Sequence, residues 1–343
     1  MNKQQLGQFY TTNYSHILQG FTIPDNIKTI IEPFAGNGDL LLWLTSKYCL
    51  ECYDIEPKKQ FIIKRDTIQN PPDYNNKYVL TNPPYLARNK SEHKLLFDKY
   101  DVNDLYKCFI KELITQNQCI GGIIIVPLNF WSSIRANDIK LRADFLQYYS
   151  ITRCNVFEEQ VFNDTSYTIC AFQFQQKQNT TNNINFTIYP SLITINTELS
   201  NKNNYLIGGD IYNLTTKNVY NITRATAANK DKLNTNILVK CIDDNKNNQI
   251  GLSFVSTENL YIDMTPNASS RTYASLIILP AITENIQKQL ITKFNEYLQS
   301  HRNKYHSLFL TNYRESKDIA RKRISFELVY HITEHLLDNQ IKN

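Results

Sequence analysis

The apolar run Tyr78-Val79-Leu80-Thr81 ends on Asn82-Pro83-Pro84-Tyr85, and no helix or strand continues through that junction. Two consecutive prolines remove two backbone donors and hold φ near about −65°, while Pro83 biases Asn82 toward an extended conformation. The reading is a strand that stops in a rigid loop. In that loop the Asn82 side-chain oxygen and the Pro83 carbonyl form a pair of fixed acceptors, and Tyr85 offers a flat face on which a planar ring can stack. Two acceptors suit an exocyclic amino group, whose lone pair stays delocalised until both of its hydrogens are held. The order of groups points to methyl transfer onto such a nitrogen, although Asn-Pro-Pro alone also marks an ordinary turn.

A second signal lies upstream, where Thr29-Ile30-Ile31 leads into Glu32-Pro33-Phe34-Ala35-Gly36-Asn37-Gly38-Asp39 and then Leu40-Leu41-Leu42-Trp43-Leu44. This predicts strand, glycine loop and helix, with the backbone free to approach a ligand and the helix-start amides facing the same crevice. The dinucleotide fingerprint needs a third glycine and a phosphate loop needs a Gly-Lys-Ser/Thr ending; neither is present. Glu32, at the end of the first strand, fits a cationic ligand better. Asp54 and Glu56 end the next run, where a carboxylate can accept both ribose hydroxyls of a nucleoside, and Asp66 follows Phe61-Ile62-Ile63-Lys64-Arg65, where an acceptor can take an adenine amino group. Taken in order, these loops fall at the carboxyl ends of successive parallel strands.

The rest of the first half agrees. Asn103 to Gln118 repeats Leu105, Phe109 and Leu113 near helical spacing, Gly121-Gly122 opens the buried run Ile123 to Pro127, and Asp138 to Tyr148 reads as helix. Thr152 to Phe157 and Thr165 to Phe174 are strands that close the sheet as an antiparallel edge hairpin. The expected fold class is α/β: a doubly wound, mostly parallel Rossmann-like sheet with that hairpin, plus a mixed α+β carboxyl-terminal domain. The polar stretch Gln175 to Asn183 reads as a linker, dividing residues 1–175 from 176–343. Beyond it lie strand-like pieces at Asn185 to Tyr189, Ile237 to Ile242 and Ser275 to Leu279, and helices at Glu284 to Leu298 and Ile324 to Leu337.

Residues 176–343 carry 19 Lys and Arg against 14 Asp and Glu, whereas residues 1–175 carry 18 of each, so the whole positive excess lies in the second half. Its densest part, Arg302 to Arg323, interleaves Tyr305, Phe309 and Tyr313 and suits a phosphate backbone; the alternative is a solvated helical face. Seven cysteines without a paired framework imply a reducing compartment. Cys49 and Cys52 point to opposite faces of one strand, which disfavours a redox or zinc pair. No apolar run approaches the ~20 residues needed to span a bilayer, and the expectation is a cytoplasmic protein without membrane contact.

Together these motifs resemble the S-adenosylmethionine-dependent amino-methyltransferases, and more narrowly the gamma-class DNA adenine-N6 methyltransferases of restriction-modification systems. The resemblance covers roughly residues 4 to 175 and takes in Leu6-Gly7-Gln8-Phe9-Tyr10-Thr11-Thr12. That stretch matches the Gly-Gln-Phe-aromatic-Thr-Pro segment which in that class closes over the methionine end of the cofactor, with Thr12 in place of proline. The resemblance implies S-adenosyl-L-methionine as cofactor. Thr11 and Glu32 would lie near its methionine, Tyr10, Phe34, Ala35, Gly36 and Gly38 at the loop, Asp54 and Ile55 on the ribose, Asp66 on the adenine, and Asn82 and Pro84 beside them. Asn82, Pro83 and Tyr85 would hold the target amine, with Phe162 the second aromatic against a flipped base. Residues 1–175 would be the catalytic domain. Residues 176–343 would be a basic target-recognition domain gripping double-stranded DNA through Arg271, Arg314, Arg321, Lys322 and Arg323. The implied enzyme is site-specific, needs no metal, acts as a monomer and pairs functionally with a separate restriction endonuclease of type II. Other readings of the same residues are amino-methylation of RNA or of a protein glutamine, cytosine-N4 transfer, which a Ser or Thr at position 82 would suit better, and a non-catalytic nucleic-acid-binding module.

Overall fold

Strands that are buried on both faces read as continuous apolar runs, and the centre of the sheet is built from two such runs, Tyr78–Thr81 (β4) and Gly121–Pro127 (β5), in which every residue is buried. Thr29–Glu32 (β1) pairs in parallel with β4 on one side and with Cys49–Asp54 (β2) on the other, and the two-residue Ile63–Lys64 (β3) forms the outer edge. Past β5 come Ile169–Gln176 (β7), antiparallel to both its neighbours, and Tyr149–Phe157 (β6), then Asn183–Tyr189 (β8) and Ile193–Glu198 (β9). The nine-stranded order is β3-β2-β1-β4-β5-β7-β6-β8-β9. In this computed structural model residues 7, 9–92, 94–162, 167–178, 181–244, 249–266, 272–315, 320–339 and 341 are described, side chains excepted at 312–315 and 320.

From β1 the chain moves outward to β2 and β3 on one side, and β4 and β5 fill the other. The direction of winding therefore reverses between β1 and β4, and such a switch point leaves a crevice beyond the strands' carboxyl ends. Glu32 closes β1 and Thr81 closes β4, so the glycine loop and Asn82-Pro83-Pro84-Tyr85 both open into that crevice.

Two expectations are corrected here. The β6–β7 hairpin is interior, because Ile184, Phe186 and Ile188 alternate with polar residues on β8 and bury one face while β8 pairs in parallel with β6. The stretch expected to be a linker thus leads into the same sheet, and the first compact unit runs to Asn201, with Lys202–Asn343 forming the second. The helix expected after the glycine loop is a single 3-10 turn, Leu40–Trp43: Leu44 is already extended, β2 starts at Cys49, and Leu42 stays 68% exposed. No long helix places its amino terminus on the crevice at this point.

The helix Leu105–Gln116 buries Tyr106, Phe109, Ile110 and Leu113, and Ala136–Tyr148 buries Leu141, Phe145 and Leu146. Two ion pairs tie these helices together, Lys107–Asp138 at 2.5 Å and Lys111–Asp144 at 2.7 Å. At the amino-terminal end of the unit, the buried Asn155 amide of β6 donates to the carbonyls of Ile17 and Gln19 and pins that turn to the sheet.

In the second unit Asn221–Arg224 (β10), Ile237–Lys240 (β11), Gly251–Phe254 (β12) and Tyr273–Leu279 (β13) form an antiparallel sheet of order β10-β13-β11-β12. The helix Glu284–Tyr305, capped by the Thr283 hydroxyl, packs on β12, and its buried stripe continues past Leu298 to His301, at the Gly208 carbonyl, and Tyr305, so that it outruns its expected end. The helix Phe326–Asn339 and the hairpin Thr311–Glu315 (β14) with Ala320–Arg323 (β15) complete the unit. Among the described residues no helix is long and apolar enough to cross a membrane.

Glu32 is 1% exposed, and one of its oxygens accepts from the Phe34 amide at 3.0 Å and from the Thr81 hydroxyl. Burial outweighs those two hydrogen bonds and pushes its carboxyl from an ordinary 4.5 up to about 8. The folded state therefore keeps a proton that the unfolded chain releases between those values, and this group makes folding less favourable as pH rises through that window. Glu32→Gln keeps both accepted hydrogen bonds and removes the titration, so its stability relative to the parent should climb from pH 5 to pH 8 by at most ~1.4 kcal/mol per unit, read as denaturant midpoints across pH; parallel profiles would contradict the assignment. A Cβ on Gly122 would meet the Val79 carbonyl at 2.5 Å, so Gly122→Ala should destabilise the first unit by roughly 1–3 kcal/mol in the same measurement.

Candidate functional site

The crevice holds a cavity of 420 Å³. Its lining includes Tyr10, Phe34, Gly36, Asp54, Ile55, Asp66, Asn82 and Pro84, so eight of the twelve expected cofactor residues meet in one space. Asp54, 5% exposed at the end of β2, accepts from the Gly36 amide through Oδ2 and from the Glu56 amide through Oδ1, each at 2.8 Å. Each carboxylate oxygen retains a second lone pair, enough for two hydroxyls of a ligand. Asp66 spends Oδ1 on the amides of Ile68 and Gln69, and its other oxygen remains for a donor on the ligand. Phe34, Ile55, Ile68, Leu86, Leu96 and Leu105 supply apolar walls.

Gly36 sits at φ +51°, and a Cβ there would meet the Tyr10 ring at 2.9 Å. Tyr10 thus lies over the glycine loop, and its phenol is pushed up by burial and by the carboxylates of Asp54, Glu56 and Asp39. Asp54 and Asp66 set against an apolar shelf fit the hydroxyls and the amino group of a nucleoside. The residues present fit S-adenosylmethionine in this respect.

Asn82 stands where β4 ends. Its amide nitrogen donates to the Phe9 carbonyl at 2.9 Å and to the Thr11 hydroxyl at 3.0 Å, and its oxygen accepts from the Tyr85 hydroxyl. The same phenol lies 3.0 Å from the Ile125 carbonyl, a second acceptor for its single hydrogen. Tyr85 is 3% exposed and Phe162 4%. Both rings pack against Phe9, at centroid separations of 5.4 and 6.3 Å.

Four expected cofactor residues lie off the cavity wall. Glu32 is sealed beneath the loop, Thr11 is turned to Asn82, Ala35 is buried with its amide on the Tyr53 carbonyl, and Gly38 holds a positive φ in the turn. Phe9 lines the cavity too, and Arg65, Lys90 and Glu92 are lining residues that the motifs did not announce. A weak signal existed for Phe9, an aromatic within the amino-terminal segment.

Of the expected DNA contacts, Arg271 lies outside the described residues, as does the side chain of Arg314. Lys322 is 3% exposed and belongs to the packing of the second unit, which removes it from the free basic surface; Arg321 and Arg323 are half-buried. Arg302 is held by Asp243 at 3.0 Å. Arg302 and Lys322 are thus engaged within their own unit.

No protein-family model and no curated protein matches the chain. Among solved structures it is similar to the Type IIL restriction-modification enzyme MmeI in complex with DNA, at 11% identity over 89% of this chain and 62% of that one, TM-score 0.49. It is also similar to a DrdV–DNA complex, at 14% identity over 70% and 35%, TM-score 0.44. A third is the type I restriction-modification system methyltransferase subunit from Streptococcus thermophilus, at 16% identity over 53% and 47%, TM-score 0.39. The chain spans about half the length of that subunit.

Proposed function

We propose that the chain is an S-adenosylmethionine-dependent DNA methyltransferase acting on the N6 amino group of an adenine flipped out of the duplex. One observation carries the reading: a cavity with nucleoside-type acceptors, Asp54 and Asp66, opens onto Asn82 at the β1/β4 switch point. When bound, the cofactor supplies an electrophilic methyl group. Tyr85 and Phe162 present faces for the target base, and Asn82 Oδ1 with the Pro83 carbonyl accept the two amino hydrogens. That holds the nitrogen lone pair toward the methyl and favours the positive charge that grows on nitrogen as the bond forms. The second unit, with Arg321 and Arg323 on its basic hairpin, is proposed to contact the duplex, where phosphate contacts position and base contacts specify. A separate restriction endonuclease is the proposed functional partner, and a monomer the proposed working state.

The direct test is transfer of labelled methyl to double-stranded DNA of mixed sequence, with nucleoside analysis of the product. N6-methyladenine at a restricted set of sites is expected; N4-methylcytosine, or label only in RNA or protein, would overturn the assignment. Asn82→Ala should lower turnover by about 10²-fold or more, a larger factor than the change it makes in cofactor affinity, read by calorimetry. Asp54→Ala should do the reverse to binding: loss of charge-assisted hydrogen bonds worth roughly 1.5–3 kcal/mol raises the cofactor Kd about 10- to 100-fold.

A further inference from the structure

Phe9 packs against both aromatics proposed to hold the target base. It lies 5.4 Å from Tyr85, tilted at 31°, and stacks on Phe162 at 6.3 Å and 29°. Tyr167 meets Phe9 and Tyr85 edge-on, at 6.5 and 6.2 Å. The polar side of the slot is satisfied in the same way, since the Asn82 amide is shared among Phe9, Thr11 and Tyr85.

We propose that Phe9 is a gating residue, an internal occupant of the target slot that an entering base must displace. The proposal rests on reading Asn82-Pro83-Pro84-Tyr85 as the site of the acceptor amine. The backbone around Phe9 is anchored on both sides, by the Gly7 carbonyl accepting from the Tyr85 amide at 2.9 Å and by Thr11 on Asn82. A Cβ on Gly7 would fall 2.7 Å from the Tyr85 carbonyl, so that anchor is a close fit. Displacement is therefore the departure of one side chain from a strap that stays docked.

The exchange favours the right base for a simple reason. Any planar base that replaces Phe9 recovers the stacking, but only one with an amino group in the plane also recovers hydrogen bonds to Asn82 and Pro83. Freeing the Asn82 oxygen leaves no orphan, because the Tyr85 hydroxyl turns to the Ile125 carbonyl 3.0 Å away. Every entering base must expel the same ring, so Phe9 lowers the affinity for all of them alike, and the choice among bases stays with Asn82 and Pro83. With Phe9 removed, the slot stands open and that penalty vanishes.

The test uses the full chain saturated with S-adenosylhomocysteine, so that the cofactor cavity is filled, and follows 2-aminopurine riboside fluorescence. Phe9→Ala is expected to bind the riboside at least about tenfold more tightly than the parent, with Phe9→Leu in between. On DNA the same variant should keep the parent's ratio between its best site and its poorer sites, because the ring is the same obstacle to each. Equal riboside affinity in parent and Phe9→Ala would overturn the proposal. If Phe9→Ala melts below the assay temperature, Phe9→Leu decides by the same criterion. A riboside effect without any DNA methylation by the parent would uphold the occupied slot and sink the assigned substrate, whereas N6-methylation by a parent whose riboside affinity equals that of Phe9→Ala would sink the role of Phe9 alone.

Discussion

The site depends on one buried contact. Glu32 at the end of β1 accepts from the Thr81 hydroxyl at the end of β4 and from the Phe34 amide at the start of the glycine loop. One carboxyl thereby sets the spacing between the two strands whose ends form the crevice, and fixes the departure angle of the loop from the first of them. Burial holds that carboxyl neutral near pH 7, and a neutral acid brings an acceptor into the sheet without the cost of an unpaired buried charge. The same choice places the cofactor-type acceptors, Asp54 and Asp66, on the next two strand ends, where they face the cavity and not the strand junction.

A second dependence runs through residues 9 to 11. Phe9 packs on Tyr85, Tyr10 lies over Gly36, and Thr11 holds the Asn82 amide. Consecutive side chains of one short segment thus reach the aromatic cluster, the glycine loop and Asn82. Anything that lifts Tyr10 from the loop shifts Phe9 and Thr11 as well.

The positions of the motifs were legible because each sits where a strand must stop. Asn82-Pro83-Pro84 cannot continue a strand, Gly36 holds a positive φ, and Asp54 and Asp66 follow apolar runs. What could not be read is what depends on packing across the chain. Phe9 reaches Phe162 through a contact that no local spacing encodes. Leu40-Leu41-Leu42-Trp43 looks helical by composition, yet the short distance to β2 leaves room for one 3-10 turn. The β8–β9 extension hid behind a polar stretch whose asparagines and glutamines resembled a linker. Lys322 and Arg302 looked like a free basic surface, and the charge pattern alone gave no sign that one is buried and the other paired with Asp243.

The hydrogen bonds of Asn82 bear on how the proposed reaction disposes of its proton. Its partners are Phe9, Thr11 and Tyr85, and none is a carboxylate or an imidazole. Tyr85 keeps its proton, because burial drives its phenol well above the ordinary range. Glu32 is sealed under the loop and neutral near pH 7, with its accepting oxygen already committed. Under the proposed chemistry nothing bonded to Asn82 removes a proton before the methyl moves. The amine has to react as the neutral nucleophile, made competent by two acceptors that localise its lone pair, and the proton departs only after charge has developed on nitrogen. Such a site gains its rate from orientation and fixed dipoles, which is the role that two consecutive prolines, unable to relax around Asn82, are built to serve.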